Sequence, residues 1–263
     1  MKRRSYGIVR LVTRSLLGLI LATSASAQSV RESGAQPKSL KLDHFWCYII
    51  SSETPDPAVA ATLKDQFQTA DVSVGTPLQF CNPVQKTVGQ GTPGEIVTPI
   101  VNLNDHLTMY GLQRSAPLPA TQTLTATNQF GVQQLTVDNA TTLMVPTQKM
   151  LENLRFPTRL DHFLCYPVNA ASIAKPVSLM DQFQTQGDVT VEQPVLFCNP
   201  VAKTIGNKTT RIQNPAAHLL CYNIRLPQST TSRQVPIANQ LETDTFTVTT
   251  TQMLCVPSTK TLP

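Results

Sequence analysis

The sequence predicts an all-β protein: two tandem small β-sandwich or barrel domains, each a pseudo-two-fold pair of disulfide-bearing repeats. Three observations predict it. One pattern of about fifty residues recurs four times along the chain. The composition, with 20 Pro, many Thr, Val and Gln and only 14% charged residues, favours strands and turns over helices. Six Cys stand at two fixed positions of the pattern, as a disulfide framework would place them.

Reading from the start, Lys2, Arg3, Arg4, Arg10 and Arg14 precede a short apolar run over residues 15–22 and then Ala25-Ser26-Ala27. This is the pattern of a signal peptide over residues 1–27, cleaved after Ala27, and it predicts a secreted or periplasmic protein. The apolar run is shorter than the roughly 20 residues a membrane span needs, and no later stretch approaches that length. No Cys stands where a lipid anchor would need one, so the mature chain is expected to be soluble. The formal charge of +5 resides entirely in residues 1–27; from Gln28 onward there are 16 Lys/Arg and 16 Asp/Glu. A neutral mature chain without a basic cluster gives no footprint for nucleic acid. Residues 28–39 are expected to be a flexible N-terminal segment.

The pattern opens at Asp43-His44-Phe45-Trp46-Cys47-Tyr48, Asp105-His106-Leu107-Thr108-Met109-Tyr110, Asp161-His162-Phe163-Leu164-Cys165-Tyr166 and Ala217-His218-Leu219-Leu220-Cys221-Tyr222. A second element follows 20 to 23 residues later: Asp65-Gln66-Phe67, Asn128-Gln129-Phe130, Asp181-Gln182-Phe183 and Asn239-Gln240-Leu241. An alternating run comes next, Val72-Ser73-Val74 in the first copy. Seven residues after it each copy closes with Cys81-Asn82-Pro83, Met144-Val145-Pro146, Cys198-Asn199-Pro200 or Cys255-Val256-Pro257, then Lys86, Lys149, Lys203 or Lys260.

The copies alternate in kind. The first and third share Asp-Gln-Phe and Cys-Asn-Pro, whereas the second and fourth have Asn at the Asp position and Val before the Pro. A pair therefore reads as the larger unit: domain one over residues 40–150, a linker over 151–157, and domain two over 158–263. In each opening segment His, the fourth residue and Tyr share one strand face while the residues between them share the other, and both faces are largely apolar, as near a core. The alternating run and the closing segment give two more strands. Three or four strands per copy make six to eight per domain.

Residues 43–48, 65–67, 81–84 and 254–258, with their counterparts in the other copies, resemble a family of secreted bacterial repeat domains of unknown function. The resemblance covers nearly all of the mature chain. It implies this architecture and no particular activity.

The cysteines pair by the logic of the repeat. The second copy lacks both at once, with Met109 and Met144 at the two positions, as joint loss of a bonded pair requires. The expected bonds are Cys47–Cys81, Cys165–Cys198 and Cys221–Cys255, each closing a loop worth roughly 3–4 kcal/mol on the chain-entropy model. The competing reading is a zinc site built on His-x-x-Cys. Residues three apart on a strand face opposite ways, which sets His44 and Cys47 apart, and no metal or other cofactor is expected.

Several residues invite a chemical reading. Asp-His pairs resemble acid–base machinery, but adjacent strand residues point apart, and a His in every copy fits a recurring structural bond. Asp65 and Asp181 offer oxygens to a cation such as calcium; the plainer reading is a turn in which Asp or Asn caps backbone amides, Gln satisfies a buried backbone group and Phe enters the core. The recurrent Lys reads as a solvated edge-strand charge, and each Tyr and Trp46 as packing. No catalytic residue is assigned. The loops that differ between copies, residues 87–97 and 204–211, are where a repeated scaffold carries specificity. The expected function is a non-catalytic secreted binding or structural module whose partner is a cell-surface polymer or protein. The alternatives are a secreted hydrolase with its site between the domains and a cation-dependent adhesin.

Overall fold

The computed structural model describes residues 42–54, 57–113, 117–151, 154–226 and 232–263; the expected signal peptide and the segment 28–39 lie outside them. The chain is all-β, without a helix among the described residues. Copy one carries β1 (His44–Ser51), β2 (Val59–Lys64), β3 (Thr69–Val88) and β4 (Ile96–Thr98). Copy two carries β5 (His106–Gln113), β6 (Gln122–Asn128), β7 (Gly131–Val137) and β8 (Thr142–Lys149). Copy three carries β9 (His162–Asn169), β10 (Lys175–Met180), β11 (Thr185–Ile205) and β12 (Lys208–Thr210). Copy four carries β13 (His218–Arg225), β14 (Arg233–Asn239) and β15 (Thr243–Thr261). Together they form one 15-stranded antiparallel sheet.

Eight of these strands close on themselves. Within each copy the His strand pairs with the Cys-Pro segment: β1 with β3, β5 with β8, β9 with β11 and β13 with β15. Each Cys-Pro segment then pairs with the next copy's His strand, β3 with β5, β8 with β9 and β11 with β13. The circuit is completed by β15 against β1, where Phe45 faces Cys255. Two strands from each of four copies thus make an eight-stranded barrel.

The expected boundary at residues 151–157 therefore does not separate two domains. The described residues form one compact unit, and the ladders β8–β9 and β15–β1 hold copies two and three, and four and one, together. The physical reason is edge satisfaction: a pair of copies would leave two barrel strands unpaired, and a closed ring of four leaves none.

The recurrent Pro marks where each ring strand changes partners. The ladder from β3 to β5 ends at Cys81↔Leu107 and that from β8 to β9 at Met144↔Phe163. Those from β11 to β13 and from β15 to β1 end at Cys198↔Leu219 and at Cys255↔Phe45. Each stops two residues before a Pro, which has no N–H to continue it. Past the Pro, the strand end is taken by the hairpin of the copy two places away: β10 joins Gln85–Thr87, β14 Thr147–Lys149, β2 Ala202–Thr204 and β6 Thr259–Thr261.

The two faces of the ring strands bury separate cores. One cluster contains Phe45, Leu107, Phe163, Leu219, all six Cys and Met109, Met144 and Met253, and draws only on ring strands and the residues just before them. The other contains Trp46, Tyr48, Phe80, Tyr110, Tyr166 and Tyr222 together with hairpin residues such as Leu63, Leu124, Leu179 and Ile237. An eight-stranded barrel has room inside for side chains but not for further strands. The disulfide face is therefore the interior, and the hairpins wrap the outside.

The structure joins Cys47 to Cys81, Cys165 to Cys198 and Cys221 to Cys255, each pair directly opposite in register. Met109 and Met144 face each other in the fourth position, filling with flexible apolar side chains the space a disulfide takes elsewhere. The Met109→Cys, Met144→Cys double variant is expected to oxidise to a fourth bond, seen as loss of two hydrogens in the intact mass. Two stable free thiols there would show that the Met pair is not the counterpart of the bonded pairs.

Candidate functional site

The Asp/Asn-Gln-Phe elements are the turns of the outer hairpins. The Oδ1 of Asp65 accepts the backbone N–H groups of Phe67 and Gln68 at 2.9 and 3.0 Å, and that of Asp181 those of Phe183 and Gln184 at 2.8 and 3.0 Å. Asn128 accepts from Phe130 N at 2.9 Å, and Asn239 from Leu241 N and Glu242 N at 2.8 and 3.2 Å. Asp and Asn both carry the oxygen such a turn requires, so the local turn does not choose between them.

The choice is made by the copy two places away. Asp65 Oδ2 accepts Tyr166 Oη at 2.9 Å and Asn199 Nδ2 at 2.8 Å. Asp181 Oδ2 reciprocally accepts Tyr48 Oη at 2.8 Å and Asn82 Nδ2 at 2.9 Å. Each carboxylate thus receives four hydrogen bonds, about the full lone-pair capacity of the group. In the other two copies the turn's second atom is a donor, and its partners include hydroxyl oxygens. Asn128 Nδ2 donates to Tyr222 Oη and Ser258 Oγ, both at 2.9 Å. Asn239 Nδ2 donates to Tyr110 Oη at 2.6 Å and Thr147 Oγ1 at 3.3 Å, while Tyr110 donates to Glu242 Oε1 at 2.6 Å.

Copies one and three dock on each other, as do two and four. The alternation in kind along the sequence records this opposite pairing: an Asp turn meets Asn82 or Asn199, and an Asn turn meets Thr147 or Ser258. The hydroxyl partners and Glu242 were not singled out from the sequence. The signal for the hydroxyl partners is the residue after each closing Pro, which is Val84 and Val201 in odd copies and Thr147 and Ser258 in even ones.

The electrostatics follow the partners. Burial pushes the Asp181 carboxyl up, against the four hydrogen bonds that favour its charge. The phenols of Tyr48, Tyr110 and Tyr166 are raised by burial and by the facing carboxylates Asp181, Glu242 and Asp65. Tyr222 faces an amide, and burial brings it only to about 12.

Each turn also meets the copy before it. His44 Nε2 contacts Gln129 Nε2, and His106 Nε2 lies 3.4 Å from Gln182 Oε1 while its Nδ1 lies 3.0 Å from Asn104 O. Gln182 Nε2 also donates to the carbonyl of Leu103 at 3.2 Å. His106 stacks on Phe80 and His218 on Phe197. All four His are buried. Burial, with a nearby Lys in each case, pushes His44, His162 and His218 down to about 3 and His106 to about 4.

The Asp before the His of copies one and three serves a separate purpose. Asp43 accepts backbone N–H groups of Val101 and Asn102 at 2.5 and 2.9 Å, and Asp161 those of Gln213 and Asn214 at 2.7 and 2.8 Å. It caps the segment entering the following copy and does not orient the His. Burial and the neighbouring Asp43 raise Asp105 to about 6.

The recurrent Lys, expected at a solvated edge, is instead buried: Lys86, Lys149 and Lys203 are at most 1% exposed. The ammonium of Lys86 lies 4.8 Å from the Phe130 ring centre, Lys149 4.3 Å from Phe183 and Lys260 4.5 Å from Phe67. Lys203, facing the turn that has Leu241, donates to Gln240 Oε1 at 2.7 Å. An aromatic face or an amide oxygen stands in for water, and the hairpins covering the strand end explain the burial. Desolvation pushes Lys86 down to about 7 and Lys149, Lys203 and Lys260 to about 8.

Among the described residues no group of three His, Cys, Asp or Glu side chains is placed to hold a metal ion, and no helix is long and apolar enough to cross a membrane. Compared with known proteins, the chain matches a family described as a repeat of unknown function (DUF7450) over residues 106–257. That span runs from the first residue of β5 to the closing Pro of copy four. No curated protein and no solved structure matches it.

Two outcomes follow from this geometry. Asp181→Ala strips the acceptor from four donors and is expected to lower the unfolding free energy by about 3 kcal/mol in urea titrations; a loss below about 0.5 kcal/mol would mean the docking contributes little. The lysines set a pH dependence. Their folded values lie below the ordinary 10.5, so their contribution is full above that value and is lost as pH falls through about 8 and 7. The thermal midpoint is therefore expected to be higher at pH 9 than at pH 7, and a flat or inverted profile would place the ammonium groups in solvent.

Proposed function

The chain belongs to the family of repeats of unknown function (DUF7450), and on that premise we propose that it is an exported, non-catalytic module that binds a cell-surface polymer or protein. The observation that carries this reading is that the groups the sequence offers as chemistry are engaged in joining the copies. Asp65 and Asp181 each receive four hydrogen bonds, which leaves no free oxygen for a cation and argues against a calcium-dependent adhesin. The four His are buried and neutral, whereas a hydrolase would need such groups open to substrate.

Export is supported by the basic, apolar and small-residue pattern of residues 1–27 and by three disulfides, which persist in oxidising compartments. A closed barrel stapled from within suits a durable scaffold whose variable loops face outward.

The test is binding of the fluorescently labelled mature chain to isolated cell-envelope fractions. Saturable binding that is indifferent to calcium and chelator, without turnover of ester, peptide or glycoside substrates, is the expected result. Turnover abolished by His106→Asn, or binding that requires calcium, contradicts it.

A further inference from the structure

Resting on the binding-module reading, we propose that the groove where the 89–95 loop of copy one meets the 187–188 bulge of copy three holds one unit of a neutral saccharide. The repeat itself supplies the argument, because two departures from it, about a hundred residues apart in sequence, converge on one place.

The first departure follows β3. Gly89, at φ 66°, turns the chain into a loop held by Thr92 Oγ1 donating to Gly89 O at 2.7 Å and by Gly91 N donating to Glu95 Oε2 at 2.8 Å. The counterpart in copy three is the tight Gly206-Asn207 turn between β11 and β12. The second departure lies in the β10–β11 hairpin. Copy one has Thr69-Ala70-Asp71-Val72 and an unbroken register with β2; copy three has Thr185-Gln186-Gly187-Asp188-Val189, one residue more, and the register shifts between Val177 and Leu179. Asp188 takes the left-handed conformation, φ 55°, which is uncommon for a residue with a side chain. Bulges of this kind re-aim a side chain and recur beside functional sites.

The two meet because β10 pairs with the end of β3, Ser178 opposite Thr87. Gln90 reaches across to Ser178 through a side-chain hydrogen bond. The groove has a volume of about 280 Å³ and is lined by Thr87, Gly89, Gln90, Pro176, Ser178 and Asp188 among others. An adjoining hollow of about 190 Å³ shares Thr87, Gln90 and Ser178 and reaches Gly187.

The molecule contains its own control. The pseudo-symmetric seam, where the first hairpin meets the end of β11, has a hollow of about 250 Å³ lined by Ala60, Thr62, Asp71, Thr204 and Gly206. There the acid is engaged, since Thr62 Oγ1 donates to Asp71 at 2.6 Å, and no Asn or Gln side chain is among the lining residues. At the proposed site Asp188 is exposed.

The lining selects the ligand class. A carboxylate, an amide that both donates and accepts, and two hydroxyls suit a ligand rich in hydroxyl groups. No cationic side chain lines the groove, which disfavours phosphate or carboxylate ligands. A single carboxylate falls short of the oxygen set that calcium takes. The Pro176 ring offers an apolar wall for a sugar's C–H face. The volume of about 280 Å³, just under the usual range for small-molecule sites, fits one sugar ring.

The test titrates the full mature chain by calorimetry with cellobiose, maltose, mannobiose, lactose and N,N′-diacetylchitobiose. At least one is expected to bind, and Asp188→Gly and Gln90→Ala are each expected to weaken it about tenfold or more, as loss of a charge-assisted or polar hydrogen bond would. Because Gly relaxes the left-handed position, Asp188→Gly is expected to leave the thermal midpoint unchanged or higher, which separates lost binding from lost folding. Asp71→Asn should leave sugar affinity as it was. Binding by none of the probes, or binding that survives both groove variants, overturns the proposal. Either result leaves the module reading standing if the envelope fractions still bind the chain; failure on the envelope removes that reading whatever the sugars do.

Discussion

Each outer turn of this protein is completed by side chains of the copy two places away. An isolated Asp65 would have two backbone donors and no reason to be Asp rather than Asn. Tyr166 and Asn199 supply the reason, and Tyr48 and Asn82 do the same for Asp181. The hairpin that carries each turn also supplies the strand that covers a Pro-terminated ring strand on the far copy. One docking event therefore satisfies buried polar groups and a sheet edge together, and both would be costly if left open.

The inside of the barrel is built on the same fourfold plan with different chemistry. Three disulfides and one Met pair sit at equivalent cross-strand positions, packed with Phe45, Leu107, Phe163 and Leu219. The bonds tie together strands that the sheet already places opposite each other, so they reinforce the ring strand by strand. The outer core joins the Trp and Tyr rings of the ring strands to aliphatic side chains of the hairpins and to the Phe rings of their turns. The lysines at the strand ends lose water to that cover, and ring faces or amide oxygens replace it.

Much of this was legible in the sequence because the copies annotate one another. The Met109/Met144 substitution identified the cysteine partners, and alternation within the opening segments placed both strand faces near a core. The alternation of Asp and Asn turns was also visible, but its cause was not. Read along the chain, it grouped neighbouring copies into domains; in space it links first to third and second to fourth. Nothing in local periodicity carries that information, since it resides in which donor meets which acceptor across the ring. The buried lysines were misread for the same reason: a strand-end cation is solvated unless a distant hairpin covers it. The groove beside Asp188 was half visible, its loop in the sequence and its bulge only in the paired register.

The account stands on the ring being one unit, and the most direct measurement is to produce residues 158–263 alone. The account predicts no folded monomer, because the turns at 181–184 and 239–242 lose Tyr48, Asn82, Tyr110 and Thr147; cooperative unfolding and dispersed NMR spectra should return only in a two-chain assembly, for instance on mixing with residues 40–150. A cooperatively folded monomer of residues 158–263 would contradict it, and would restore the two-domain reading.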